Sequence, residues 1–166
     1  MFEILTRMLK PEIHVRSVDE LRSGPVIVHG ILRKPDPVLV TPFRSARCAA
    51  YDYTAVCVIK VRQGYAQQTL KHAVVYTPFE LELQGGTVRA VPKKTDPPMS
   101  PAEHRELQSS GREGFAAVEE TILPGRHVTL RGMAKRDGDA WVVTFHELVP
   151  GDAEPAEEPA RRKRRR

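Results

Sequence analysis

The chain has little of what most functional signatures are built from. Its 166 residues include two cysteines, Cys48 and Cys57, without C-x-x-C spacing. Structural zinc takes four Cys or His ligands at short paired spacings, so no metal site is expected. Aromatic residues make up 6% of the chain, thin material for a surface that stacks successive bases. Apolar runs such as Val26-Ile27-Val28 and Ala73-Val74-Val75-Tyr76 are far below the roughly 18 residues a spanning helix requires. Glu3, Arg7, Lys10 and Pro11 break up the apolar stretch that a secretory leader would need. The expected location is therefore cytoplasmic. No P-loop, G-x-G-x-x-G, G-x-S-x-G or H-E-x-x-H occurs, and His14, His29, His72, His104, His127 and His146 form no i,i+4 pair. The expectation is a protein that is not an enzyme and carries no cofactor.

The formal net charge of +5 is concentrated at one end. Residues 161–166 are Arg161, Arg162, Lys163, Arg164, Arg165 and Arg166, which leaves 20 basic groups against 21 acidic ones in the rest of the chain. The pI of 9.4 is thus mostly a property of the last six residues. Six adjacent like charges repel one another and stay solvated until an anion neutralises them. They are candidate contacts for nucleic acid or an anionic lipid surface. The preceding stretch, Gly151 to Ala160, has no aromatic or β-branched residue and reads as a linker.

What is present is strand punctuation. Phe79, Leu81 and Leu83 alternate with Glu80, Glu82 and Gln84, and Gly85-Gly86 supplies a tight turn before Val88 and Val91. Pro124-Gly125 is a second turn, followed by Val128 and Leu130 alternating with Thr129 and Arg131, and by Gly132 where a small barrel strand would bend. Further strands are expected at Pro25–Arg33, Val38–Val40, Ala50–Arg62, Thr69–Phe79, Thr121–Ile122, His127–Ala134 and Ala140–Leu148. Gln63–Gln68 reads as a hairpin connection and Asp137-Gly138 as another, with Ala50 to Val91 forming a four-segment meander. Residues 2–9 have helical periodicity, and Ser17-Val18-Asp19-Glu20 is a capping box opening a short turn. A second box, Ser100-Pro101-Ala102-Glu103, opens a helix that stops near Ser109-Ser110-Gly111. On that helix Glu103-His104-Arg105-Glu106 reads as a solvated face. The whole is mainly β: a small, OB-like barrel with one inserted helix. Its divisions are an N-terminal helix and lead-in over 1–16, the barrel over 17–148 and the tail over 149–166.

Tyr51 and Tyr53, near Lys60 and Arg62, pose the question of a base-stacking face. Both tyrosines share strand parity with Ala55, Cys57, Ile59 and Val61, the apolar side, which favours core packing and a buried, reduced Cys57.

The order of several phrases resembles the GIDE domain, or beside-a-membrane domain, of membrane-anchored ubiquitin ligases and their prokaryotic relatives. The phrases are Val26–Gly30, Leu39–Pro42 with Arg47–Tyr51, Pro78–Val88, and Glu120–Gly125 with Val128–Gly132, spanning residues 17 to 147. The resemblance implies a barrel-like recognition or scaffolding module, often beside a bilayer. Family ligases add transmembrane helices and a RING finger. These 166 residues contain neither, and two cysteines cannot build the two zinc sites of a RING. The expected function is a non-enzymatic interaction module that binds a protein partner, at a membrane surface or away from one. The alternatives are an OB-like nucleic-acid binder that uses the basic tail, and an accessory of a ubiquitin-ligase-like system without its own RING.

Overall fold

The computed structural model describes residues 11–151. The chain forms β1 (Ile13–Val15), a 3-10 turn (Val18–Glu20), β2 (Gly24–Arg33), β3 (Leu39–Val40), β4 (Arg47–Cys48), β5 (Ala50–Val61), β6 (Gly64–Tyr76), β7 (Phe79–Leu83), β8 (Gly86–Pro92), α1 (Pro101–Gln108), β9 (Ala116–Ile122), β10 (His127–Asp137) and β11 (Ala140–Pro150). Strands β2, β10, β11, β8 and β7 pair in that order, and β7 returns to β2 to close a five-stranded barrel. Closure removes the open edges that such short strands would otherwise expose.

Alternation fills the barrel. Val26, Val28, Leu81, Leu130 and Val143 point inward with no exposed surface, and Phe145 packs at 5.6 Å from Phe79 and 5.5 Å from Tyr76. Gly132 sits where the register between β10 and β11 shifts. A Cβ there would overlap the Thr144 carbonyl and lie 2.7 Å from the Phe145 Cα, so only glycine lets the two backbones approach this closely. Gln84 and Gly85 make the turn from β7 to β8, closing on the Leu83–Gly86 pair, with φ of +82° at Gly85.

The remaining long strands leave the barrel. β5 pairs with β6 on one side and β9 on the other in a separate three-stranded sheet. The expected meander is therefore broken: β6 does not pair with β7, because Thr77-Pro78 redirects the chain from one sheet into the other. A second apolar cluster forms under this sheet from Leu39, Cys48, Tyr51, Tyr53, Val75 and Met99 among others, with Leu107 and Phe115 against it. α1 roofs it. Ser100 Oγ accepts from the Glu103 N–H and the Glu103 carboxylate accepts from the Ser100 N–H, so both halves of the expected box form.

Three expectations need correction. The connection at Gln63–Gln68 is a two-residue turn, Arg62-Gln63, and Tyr65–Gln68 are strand. Their polarity reflects a hairpin wet on both faces. The lead-in is partly sheet, since β1 runs parallel to β2 with Ile13 opposite Val26. β9 begins at Ala116 and not at Thr121. The expected helix over 2–9 lies outside the described residues.

Replacing Gly132 by alanine should destabilise the protein by about 1–3 kcal/mol, the usual cost of overpacking. A urea midpoint equal to that of the parent chain would show that β10 and β11 do not approach as described.

Candidate functional site

β5 is twelve residues long, and its environment changes along it. From Ala50 to Cys57 one side is enclosed: Tyr51 is 2% exposed, Tyr53 0%, Ala55 0% and Cys57 1%. β9 flanks the strand only as far as Val56, and a last bond runs from the Val58 N–H to the Glu113 carbonyl. Beyond that point β5 has only β6 beside it. Val58, Ile59 and Val61 are 39%, 37% and 40% exposed and Tyr65 is 72% exposed. The apolar parity continues past Cys57 at Ile59 and Val61, which lie outside the buried cluster and are partly exposed. The result is a two-stranded arm, extending about 13 Å from Val58 to Arg62 at strand rise.

The arm has two unlike faces. Cα partners in an antiparallel ladder share a face. Lys60 and Tyr65 are partners, as are Val58 and Gln67. Ile59 and Ala66 are partners on the opposite face, beside Val61 and Gly64. No Asp or Glu occurs between Asp52 and Glu80. Lys60 and Arg62 are exposed and make no ion pair among the described residues. The arm is apolar on one face, mixed on the other and positively charged at its tip.

Its base is held by polar groups inside the second cluster. The Tyr51 hydroxyl accepts from the Met99 N–H at 2.8 Å, and the Tyr53 hydroxyl lies 2.8 Å from His104 Nδ1. His104 is 4% exposed, with its ring 4.6 Å from Phe43 and 6.1 Å from Phe115. The helix segment around it is therefore not a fully solvated face: His104 turns inward to satisfy a buried phenol. Its Nε2 is buried without a hydrogen-bond partner among the described residues. Glu119, opposite Tyr53 in the register, accepts from the N–H groups of Phe43 (2.6 Å) and Arg44 (3.1 Å). That carboxylate ties the loop after β3 to β9.

These positions settle where each anticipated residue lies. Tyr51 and Tyr53 are enclosed, so no base can lie on their rings in this conformation. Lys60 and Arg62 sit far along the arm, seven and nine residues beyond Tyr53, and the four do not form one face. Arg161, Arg162, Lys163, Arg164, Arg165 and Arg166 lie outside the described residues.

The barrel carries a feature that the scattered histidines concealed. The parallel pairing of β1 with β2 brings His14 Nδ1 within 2.9 Å of His29 Nε2, with the two rings at 6° to each other. Their centroids are 5.3 Å apart, the spacing of rings joined end to end through that hydrogen bond. His29 Nδ1 lies 3.1 Å from Thr129 Oγ1, which donates to the Gly151 carbonyl at 3.0 Å. With Thr129 donating onward, His29 Nδ1–H donates to it. With both rings neutral, His14 Nδ1–H then donates to His29, leaving the lone pair on His14 Nε2. Beside this chain Arg131 reaches Glu12 at 3.3 Å and Glu147 at 3.4 Å, and a shallow hollow of about 240 Å³ opens between them. Among the described residues no group of three His, Cys, Asp or Glu is placed to hold a metal ion. No helix of the described residues is long and apolar enough to cross a membrane.

Comparison with protein-family models, curated proteins and solved structures finds no match.

Burial sets the ionisation chemistry of the arm's base. Desolvation, followed by the charge of Glu119, pushes the Cys48 thiol up to about 11 against a backbone hydrogen bond from Ala50. It is not a nucleophilic thiolate at neutral pH. Desolvation also raises the phenols of Tyr51, Tyr53 and Tyr76 above their ordinary 10.0. Each is higher in the folded than in the unfolded chain, so the folded state keeps protons that the unfolded state has lost. Stability from this source is complete below about pH 10 and falls as pH rises through the folded values. The urea midpoint should thus decline above about pH 10 together with growth of tyrosinate absorbance. Full tyrosinate absorbance with an unchanged midpoint would contradict the burial of these phenols.

Proposed function

We propose that this protein is a non-enzymatic interaction module, GIDE-like in organisation, that holds a protein partner through the β5–β6 arm. The observation that carries the reading is the anchored arm itself. A hairpin whose base is fixed in a packed cluster projects Ile59, Val61 and Tyr65 into solvent. An isolated two-stranded hairpin is marginal in water, and an apolar face on one is a liability unless something covers it. Tyrosine on a rigid support contributes large contact area at low entropic cost. The exposed Ile59, Val61 and Tyr65 favour a protein over a polyphosphate as the main partner of this surface.

The second reading, nucleic-acid binding through Arg161–Arg166, draws on the charge of that hexamer. It predicts binding that falls steeply with salt. The two readings separate cleanly by truncation. A chain ending at Pro150 should still capture a stoichiometric protein partner from lysate of its own cells. The double substitution Ile59→Ser, Tyr65→Ala should weaken capture by about tenfold or more, as expected for central apolar contacts. Both side chains are partly or largely exposed, so the thermal midpoint should move little. Capture that survives the double substitution but disappears with residues 151–166 would overturn the arm as the contact surface.

A further inference from the structure

We infer that the outer edge of β6 accepts an extended segment of the partner as an additional strand, and that this segment alternates acidic and apolar residues. The inference rests on the interaction-module reading and specifies its geometry. β6 is the edge of its three-stranded sheet. The direction of its backbone groups follows from the ladder. Val74 and Tyr76 turn their N–H groups away from β5, because they donate to Asp96 Oδ2 and Thr95 Oγ1 at 2.8 Å each. The Asp96 N–H also donates to the Val74 carbonyl at 3.1 Å. Thr95-Asp96 thus covers the base of the edge as a short strand would.

Toward the tip the cover stops. Outward groups recur at every second residue of a strand. From Val74 they pass to His72. The register shift between Ala55 and Val56 leaves one extra residue in β6, since Lys71 faces Ala55 and Thr69 faces Val56. After it the outward positions are Thr69, Gln67 and Tyr65. This agrees with the two-residue turn, which makes Val61 and Gly64 the closing pair that bonds inward. Four residues therefore offer backbone donors and acceptors along one edge, with no strand beside them among the described residues. Strand addition uses such an edge, with backbone bonds giving affinity and alternate side chains giving specificity.

The faces of the arm set the occupant's pattern. A strand added to β6 places its residues alternately beside Tyr65 with Lys60, and beside Ala66 with Ile59 and Val61. The first surface carries a cation and the second is apolar. Acidic residues fit the first and aliphatic residues the second. A second copy of this chain fits less well, since β6 itself, Gly64–Tyr76, has no Asp or Glu to place beside Lys60.

The test is binding of a fluorescent acetyl-(Glu-Val)4-amide peptide to the full chain, with (Lys-Val)4 as control. The acidic peptide should bind at least about tenfold more tightly, as opposed charges on facing positions require. Gln67→Pro removes one outward donor without touching the β5 ladder, because edge positions tolerate proline. It should weaken binding by about tenfold, the loss of roughly one strand hydrogen bond, whereas Gln68→Ala should not. Lys60→Glu with Arg62→Glu leaves the ladder intact and should invert the preference toward the basic peptide, which guards against a Gln67→Pro chain that merely misfolds. Equal affinity for both peptides, or no response to either variant, would overturn the proposal. If Ile59→Ser with Tyr65→Ala still abolished partner capture in that case, the module reading would stand and only strand addition would fall. Concentration-dependent self-association abolished by Gln67→Pro would make the occupant a second copy. Tighter binding of a single-stranded oligonucleotide than of the acidic peptide to the arm would overturn the choice of a protein segment.

Discussion

Two phenol hydroxyls buried at the base of one strand constrain much of this molecule. Leaving a buried polar group unpaired costs about 1–3 kcal/mol, and β5 buries Tyr51 and Tyr53 side by side on its inner face. Their partners, the Met99 N–H and His104 Nδ1, lie before and on α1. The helix is thus placed by what the strand requires. The loop after β3 follows, because Phe43 closes over His104 and its N–H binds Glu119 on β9. A sheet, a helix and a loop are locked around two hydroxyls, and the arm emerges from that lock as the continuation of β5. Polar satisfaction at the base is what allows an otherwise marginal hairpin to project.

The barrel and the arm divide the labour. The barrel is closed, filled by alternating side chains, and has no free edge except where β1 adds to β2. The three-stranded sheet does the opposite: β6 and β9 are both edge strands, and Thr95 and Asp96 cover only the base of the β6 edge, the rest of which extends into solvent. The hydrogen-bonded chain from His14 through His29 and Thr129 to Gly151 ties β1, β2 and β10 to the end of β11.

Legibility from sequence followed the range of the interaction. Gly85-Gly86, Asp137-Gly138 and the Ser100 box are local signals: the box forms, and a hairpin forms at each glycine signal with its turn one residue away, at Gln84-Gly85 and Gly138-Asp139. The alternation of Phe79, Leu81 and Leu83 was readable because one face is dry. Tyr65–Gln68 reads as a connection in sequence because a stretch solvated on both sides carries no buried alternation to detect. The start of β9 is hidden in sequence by Glu119, whose carboxylate finds its partners in the Phe43 and Arg44 N–H groups 75 or so residues away. The His14–His29 contact depends on a parallel pairing that no spacing encodes. The charged neighbours of His104 point to a solvated face, while its own burial is set by its contact with Tyr53. What escaped the sequence was contact across the fold, and that includes the departure of β5 and β6 from the barrel.

The central claim is that the arm is a formed ladder whose outer β6 edge is left open toward the tip. Amide hydrogen exchange along β6 in the full chain tests it residue by residue. The account predicts slow exchange at Ala66 and Gln68, whose N–H groups face β5, and at Val74 and Tyr76, which Asp96 and Thr95 cover. It predicts fast exchange at Tyr65, Gln67, Thr69 and His72. Fast exchange throughout Tyr65–Gln68 would mean that the ladder is not formed, and slow exchange at all of them would mean that the edge is already covered; either result would contradict the account.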